Sequence, residues 1–389
     1  MDKDTFSIVS TIALNHIFGN QPKFSHQLLE RFGSPESLFR LSYPELKELF
    51  GPYTQYADQI NQQSLDKAEK EFSSLSRQGY QMLSIFDDSY PMLLRQCPDA
   101  PLILYIRSDT AAAELFGDRP QIAIVGTRDI SNYGKEWCTR IVRTLSEASV
   151  KPCIISGLAI GTDICAHLAA LSFGLPTIAV SPVGINDVYP VRHTVCAEKI
   201  CRFPGGALVT DYPPGTPAMA HNFIRRNRII AGLAGATILV ESKIKGGGMI
   251  TARLAAEYGR GVYALPGRID DIRSEGCNLL LSEKTAEPIS SLPFLVKSLG
   301  LGTESLKCTH RLDKLVHEHF GSSTDKSQLD KLIEIALCIK SRRGISIDAL
   351  CRECNLSYQQ TVQLTSLLQD EGFIYIDMLQ SCSVNPKIA

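Results

Sequence analysis

"IAIVGTRDISNYGKEWCTRIVRTLSEASVKPCIISG", residues 122–157, contains two short apolar runs on either side of a longer amphipathic segment. The runs IAIVG (122–126) and KPCIISG (151–157) are rich in Val and Ile, which is typical of strands buried on both faces. The segment between them, GKEWCTRIVRTLSEA, has the apolar spacing of a helix. Strand, helix and strand in succession indicate a parallel sheet joined by right-handed crossovers.

The same alternation continues towards the C-terminus. Four further apolar runs read as buried strands, namely TIAVSP (177–182), GALVTDY (206–212), ATILVES (236–242) and GVYALPG (261–267). Helical patterns such as TDICAHLAALSFG lie between the runs. We therefore expect the α/β fold class, with a Rossmann-like, doubly wound parallel sheet in a domain spanning residues 81–300. Residues 86–109 contain several prolines, and we expect them to lead into the sheet as an irregular extension.

The regions on either side have different patterns. Residues 1–80 predict a helical module of the SAM or helix-hairpin-helix kind, because FSHQLLERFGSPESLFRLSYPELKELFG has helical spacing broken at Ser-Pro turns. Such a module fits either contact with DNA backbones or plain packing and dimerisation. Residues 301–325 read as a linker and residues 326–389 as a winged helix. Its recognition helix, SYQQTVQLTSLLQ, carries no Lys or Arg, so contact with DNA and contact with protein both stay open.

Composition limits the classes of function. The chain has 40 basic and 41 acidic side chains and a net charge of −1, so a nucleic-acid site would need a local basic patch. We expect a cytosolic protein with no membrane contact, because no apolar run approaches the roughly 20 residues of a membrane helix and the N-terminus lacks a secretion signal. Most of the twelve cysteines stand singly, and the one close pair, CREC (351–354), has no second pair nearby. Neither disulfides nor a metal site is therefore expected.

Glycine-rich loops follow three of the predicted strands. They are VGTRDISNYG, SGLAIGTD and KGGGMIT, each preceding a predicted helix. Loops at the carboxyl ends of parallel strands bind ligands, and helix N-termini favour anions. With Thr127, Arg128, Ser156 and Thr251 beside them, the loops predict a phosphate cradle, although each glycine also fits a purely steric role in a tight turn.

Motifs that would indicate catalysis are missing from the sequence. We find no G-x-x-x-x-G-K-[ST] loop, no G-x-G-x-x-G with a following acid, no G-x-S-x-G and no H-E-x-x-H. His167 lies in an apolar helix and is expected to be a packed core residue. We therefore predict a binding protein without cofactor, catalytic residue or metal.

The segment HNFIRRNRII (221–230) supplies the local basic patch. Arg225 and Arg228 are three residues apart and share a helical face, whereas Arg226 points elsewhere. We expect one arginine to pair internally with Asp211 or Glu241 and the others to bind phosphates. Phe223 is expected to stack on a base, and a place in the core is the alternative.

Several ordered motifs resemble the DNA-processing protein A family, also called DprA or Smf. They are IAIVGTRDISNYG, IISGLAIGTDICAH, YPPGTPAMAHNFIRRNRIIAGLA, GGGMITARLAAEYGRGVYALPG and SEGCNLLLSEKTAEPI. The resemblance implies a bacterial homodimer that binds and protects incoming single-stranded DNA and helps to load RecA recombinase during natural transformation. Transferred residue by residue, the implied site is Gly126, Thr127, Arg128, Ser156, Gly157, Asn222, Phe223, Arg225, Arg226, Asn227, Arg228, Gly247, Gly248 and Thr251.

Three positions depart from the family pattern. Ile224 replaces a common proline and Ala220 replaces a basic residue found in some members, so a lower affinity is expected. Thr162 replaces a common isoleucine, which we expect to be harmless.

Two other functions remain as alternatives. A nucleotide phosphoribohydrolase needs a glutamate in its glycine-rich loop, and KGGGMITAR offers no carboxylate in register. A duplex-DNA regulator would bind DNA through the predicted winged helix.

Overall fold

The computed structural model describes residues 3–51, 53–302, 311–321, 325–342, 344–377 and 380–385. The chain divides into two compact units, Met1–Thr303 and Glu304–Ala389. Within the described residues, no helix has the length and apolar character needed to cross a membrane.

Short helices make up the beginning of the first unit. They are α1 (Lys3–Phe18), α2 (Pro22–Phe32), α3 (Pro35–Phe39), α4 (Tyr43–Phe50), α5 (Tyr56–Gln59) and α6 (Gln62–Arg77). Helix α3 begins where Ser34 accepts a hydrogen bond from the Ser37 amide, and α4 begins at a capping box of Ser42 and Glu45. The helix starts predicted at GSPES (33–37) and SYPE (42–45) are thus confirmed.

A nine-stranded sheet follows. Its strands are β1 (Gln81–Ser84), β2 (Ile103–Arg107), β3 (Gln121–Val125), β4 (Cys153–Ser156), β5 (Thr177–Val180), β6 (Ala207–Thr210), β7 (Ala236–Leu239), β8 (Gly261–Ala264) and β9 (Glu287–Pro288). The spatial order is β1-β2-β6-β5-β4-β3-β7-β8-β9. All six predicted strands are present, as β3 to β8, and neighbouring members of this group are parallel.

The expectation of an irregular segment over residues 86–109 is wrong. This segment contains helix α7 (Met92–Arg95) and strand β2, which pairs antiparallel with β6. The prolines flank these elements, and the run Ile103–Ile106 is completely buried. Strand β2 therefore covers the edge of β6, and β1 pairs antiparallel with β2 outside it.

Helices cover both faces of the sheet. They are α7, α8 (Ala112–Leu115), α9 (Asn132–Ser146), α10 (Thr162–Ser172), α11 (Thr194–Arg202), α12 (Ala220–Leu233), α13 (Gly247–Glu257), α14 (Glu275–Ser282) and α15 (Leu292–Ser298). Ala123 and Val125 of β3 share a core with Ile229 of α12 and Ala252 of α13. On the other face, Leu208 of β6 lies in a core with residues of α1, α6, α10 and α11. The N-terminal helices thus pack directly on the sheet.

The second unit contains α16 (Arg311–Phe320), α17 (Lys326–Ser341), β10 (Ile345–Ser346), α18 (Ile347–Glu353), α19 (Tyr358–Asp370), β11 (Ile374–Ile376) and β12 (Ser381–Val384). The strands form an antiparallel sheet in the order β10-β12-β11. Leu332, Leu350, Leu368 and Phe373 contribute to its core. The sequence did not reveal α16, which lies inside the predicted linker; residues 303–310 and 322–324 of that linker lie outside the described residues.

Candidate nucleic-acid interface

The connections of the sheet reverse direction at β3. From β3 the chain adds β4, β5 and β6 on one side, and it later adds β7 and β8 on the other. The loops after β3 and β7 therefore diverge at the carboxyl edge, and such a switch point is the usual ligand site of an open α/β sheet. A cavity of about 550 Å³ lies here, between the two loops and the beginning of α12.

The structure brings nine of the predicted site residues to this cavity. They are Gly126, Thr127, Arg128, Phe223, Arg226, Asn227, Gly247, Gly248 and Thr251. The other five, Ser156, Gly157, Asn222, Arg225 and Arg228, do not line it. The residues at the cavity come from the loop after β3, the first half of α12 and the first turns of α13.

Backbone contacts hold the loop after β3. The Thr127 amide donates to the Glu241 carbonyl at 2.7 Å, and the amide and hydroxyl of Thr162 donate to the Thr127 carbonyl at 3.1 and 3.2 Å. A Cβ atom on Gly126 would lie 2.5 Å from the Thr162 hydroxyl, and one on Gly248 would lie 3.0 Å from the Gly126 Cα. These two glycines are therefore needed for close packing, and that packing places both loops on one cavity. The Thr162 hydroxyl, which isoleucine lacks, is part of this support.

A cation and an aromatic ring meet at the cavity. The Arg128 guanidinium lies 5.1 Å from the centre of the Phe223 ring, and Phe223 also contacts Tyr189 edge to face at 5.2 Å. Arg128 is exposed and Phe223 is half-buried. Phe223 thus lies in the wall of the cavity and not in the core, so its ring is available to a ligand.

Arg226 is buried beneath the cavity, with 3% of its surface exposed. Its Nη1 donates to the Val180 carbonyl at 3.1 Å, and the guanidinium lies so close to Gly157 that a Cβ there would be 1.5 Å from Nη1. Burial lowers the pKa of Arg226, and the nearby Asp163 opposes this shift. Burial likewise raises the pKa of Asp163, while Arg226 lowers it. Arg226 therefore joins α12 to the ends of β4 and β5 and places positive charge under the cavity.

Arg228 and Arg225 point away from the cavity in different directions. Arg228 forms a buried ion pair with Asp211 and donates to the Asp99 carbonyl, which confirms the predicted internal pair with Asp211. Arg225 donates to the Gly19 carbonyl and the Asn20 side chain, at the end of α1. The shared face predicted for Arg225 and Arg228 does not bring them to the cavity, because each contacts a different part of the molecule around α12.

The remaining displaced residues have structural partners. The Ser156 hydroxyl donates to the Ile124 carbonyl at 2.6 Å, and the Asn222 side-chain Nδ2 donates to the Pro217 carbonyl at 3.1 Å. Both residues are buried. Ser156 and Gly157 thus shape the end of β4, and Asn222 fixes the start of α12.

Sequence reasoning missed three polar side chains that line the cavity: Asp163, Tyr189 and Lys243. Lys243 is exposed, in the turn closed by a 2.9 Å hydrogen bond from the Gly246 amide to the Lys243 carbonyl. Its place just after a strand and before the glycines was the available signal. Ala220 and Ile224, the departures from the family pattern, also line the cavity.

The side chains that could suggest catalysis have other roles. The Glu241 carboxylate accepts hydrogen bonds from the Ser131 amide (2.9 Å) and hydroxyl (2.5 Å) at the start of α9. His167 is buried and its Nδ1 lies 2.7 Å from the Thr177 hydroxyl, which confirms the prediction of a core histidine. In the described part of the chain, no group of His, Cys, Asp and Glu side chains could hold a metal ion.

Comparisons with known proteins agree on the sheet domain. The family model described as DNA recombination-mediator protein A matches residues 81–300, more than half of the chain. Protein Smf of Escherichia coli is 38% identical over 209 residues, which cover 54% of this chain and 54% of that protein. Protein Smf of a Synechocystis strain is 37% identical over 220 residues. The matched part spans about half the length of these two relatives.

Solved structures of DNA processing protein A from two bacteria resemble the chain. DNA processing protein A of Streptococcus pneumoniae is 31% identical, with a TM-score of 0.54, over 67% of this chain and 92% of that one. DNA processing protein A of Helicobacter pylori is 28% identical, with a TM-score of 0.50, over 57% of this chain and 95% of that one. The Helicobacter structure was described for its mode of binding single-stranded DNA.

Proposed function

Because the chain belongs to the DNA recombination-mediator protein A family, we propose that it binds single-stranded DNA in the cavity between the loops after β3 and β7. The main support is the contact between Arg128 and Phe223 in one cavity wall. A guanidinium holds phosphate through paired hydrogen bonds, and an aromatic ring stacks on any base. Together they suit a polynucleotide bound without regard to its sequence.

The other walls of the cavity fit the same ligand. Gly246, Gly247 and Gly248 stand at the beginning of α13, where a helix carries partial positive charge. Lys243 adds an exposed ammonium group, and Arg226 adds charge from below. Asp163 is the one carboxylate among the described residues that line the cavity, and Arg226 lies near it.

We propose binding without catalysis. The Glu241 carboxylate holds Ser131, the N-cap residue of α9, through two hydrogen bonds. The one carboxylate among the described residues that line the cavity, Asp163, lies near Arg226. Incubation with a nucleoside monophosphate tests this proposal, since release of free base would indicate a phosphoribohydrolase.

The more specific activities rest on family membership. We propose a homodimer that protects incoming single strands and helps to load RecA recombinase during natural transformation. Sedimentation at several protein concentrations tests the dimer, and RecA filament formation on DNA coated by a single-strand-binding protein tests the loading.

We also propose that residues 326–389 form a winged helix. The order helix, strand, helix, helix, strand, strand in α17 to β12 supports this. The described residues of α19 include no Lys or Arg, so the proposal does not include binding of duplex DNA.

The decisive experiment is a titration of a labelled oligothymidylate and of a duplex of equal length, followed by fluorescence anisotropy. We expect preferential binding of the single strand, with the affinity located in residues 1–303. Equal binding of the duplex, or binding by residues 304–389 alone, would favour the duplex-DNA regulator instead.

A further inference from the structure

A second cavity lies beside the proposed DNA site. It is a groove of about 790 Å³ between α9 and α10. Ile160 and Leu168 line it and keep 41% and 49% of their surfaces exposed, and the half-buried Phe173 is also in its wall. This is a large exposed apolar surface, and the function proposed above does not use it.

Arg128 joins the groove to the DNA cavity, because it lines both. The Arg128 backbone packs against Gly161, which has φ +89°, and a Cβ on Gly161 would lie 2.6 Å from the Arg128 carbonyl oxygen. This close approach keeps the ridge between the two cavities narrow. A chain that leaves the DNA cavity over Arg128 therefore enters the groove directly.

The charges along the groove favour a polyanion. Lys135 lines the groove at the first turn of α9 and forms no ion pair with a carboxylate in the described ranges. The one acidic residue among the described residues of the lining, Asp129, is bonded to Arg273 at 3.0 Å. The groove thus offers two cations, one paired acid and an apolar floor that includes the ring of Phe173. Nonspecific single-strand sites likewise combine positive charge with aromatic side chains.

We infer that single-stranded DNA held in the first cavity continues over Arg128 into this groove, with a phosphate near Lys135 and bases against Ile160, Leu168 and Phe173. The inference rests on the proposed function and extends it to a second subsite on the same strand. A protein segment is the competing occupant, and an apolar segment alone would have no use for Lys135.

Leu168→Glu tests the subsite by placing a negative charge on its floor. The control, Val150→Glu, makes a similar change at a residue 45% exposed that precedes β4, at the opposite edge of the sheet. For a long oligothymidylate we expect Leu168→Glu to weaken binding roughly tenfold, comparable to the loss of one base contact. Lys135→Ala should weaken it less and flatten its salt dependence, and Val150→Glu should leave it unchanged.

Cys165 provides a direct readout, because it lies half-buried in the groove. A hydrogen bond from Cys138 lowers the pKa of the Cys165 thiol despite burial, which favours alkylation of this half-buried thiol by iodoacetamide. We expect the long oligothymidylate to slow alkylation of Cys165 several-fold. A thymidine trinucleotide, which is too short to fill both cavities, should protect it less.

The outcomes separate this inference from the proposed function. If Arg128→Ala weakens binding while Leu168→Glu binds normally and Cys165 stays reactive in the presence of DNA, the strand does not enter the groove and a protein segment becomes the better occupant. If Arg128→Ala binds as tightly as the unaltered protein, the proposed function itself fails.

Discussion

The loop after β3 and the arginine-rich start of α12 both suggest phosphate binding in the sequence, but they have different roles in the structure. Arg128 stands alone in its loop, is exposed and meets Phe223 in the cavity wall. Of the three arginines in α12, Arg226 and Arg228 are buried, and Arg225 bonds to the end of α1. The number of arginines in a segment is therefore a weaker indication of ligand binding than the extent to which that segment is buried.

The largest expected effect is on stability, in the arginine-rich helix. Arg228→Ala should lower the free energy of unfolding by roughly 3–5 kcal/mol, because it leaves the buried Asp211 carboxylate without its partner. Arg225→Ala, the matched control, should cost about 1 kcal/mol, since it removes hydrogen bonds to neutral groups. Urea unfolding measures both values. Equal stability of the two variants would show that the contrast between buried and half-buried arginines is wrong.

The next effect is on binding, in the loop. Arg128→Ala should weaken single-strand binding by about 2 kcal/mol, as expected for a charge-assisted hydrogen bond, and reduce the salt slope by about 0.7. The fold should be unaffected because Arg128 is exposed. Arg119→Ala removes the same charge from an exposed site before β3, at the opposite edge, and should change neither quantity. An unaltered salt slope for Arg128→Ala would contradict a phosphate contact.

A smaller effect is expected at the ring beside Arg128. Phe223→Ala should cost about 1 kcal/mol of single-strand affinity, the lower end of the range for stacking, because the ring is already half-buried. The salt slope should stay constant, and Phe223→Tyr should retain most of the affinity. If the slope falls as far as in Arg128→Ala, the ring acts by positioning the guanidinium and not by stacking.

The smallest expected effect is on the pH dependence of stability, and it comes from the buried His167, which lies near Arg226. Burial, with a contribution from Arg226, lowers the pKa of His167 to about 3 from an ordinary value of 6.5. Below pH 6.5, His167 therefore binds a proton in the unfolded chain but not in the folded chain. The free energy of unfolding falls as the pH drops from 6.5 towards 3. At pH 6.0 the loss relative to pH 7 should be about 0.7 kcal/mol, and His167→Gln should lack it. Unfolding curves of both proteins at the two pH values measure this difference.

The sequence predicted the sheet well because its strands are buried on both faces. Runs such as IAIVG and ATILVES carry this information locally, and the glycine loops after them point to the carboxyl edge. Strand β2 was harder to predict, because the prolines around it suggest a loop and its partner β6 lies about a hundred residues later in the chain.

The site was predicted in part for a similar reason. Arg128 and Phe223 stand next to recognisable loop and helix signals, whereas Tyr189 and Asp163 reach the cavity from distant segments. The separation of Arg225, Arg226 and Arg228 depends on what packs around α12. Asp211 could be named as a partner from charge alone, but the contact of Arg225 with Gly19 could not, since nothing in residues 1–80 indicates which end of α1 meets the sheet.

The hydrogen bond from Arg225 to the Gly19 carbonyl has a practical consequence for the design of shortened versions of this protein. The Asn15 side chain also donates to the Asp211 backbone, at 3.1 Å, so α1 and the residues just after it support two residues at the base of the proposed DNA-binding region. A shortened version that starts at residue 81, where the family match begins, would lose both supports and uncover apolar surface on β1 and β2. Deletion of the first eighty residues therefore alters the proposed binding region itself. Loss of DNA binding in such a fragment would not establish that those residues contact DNA.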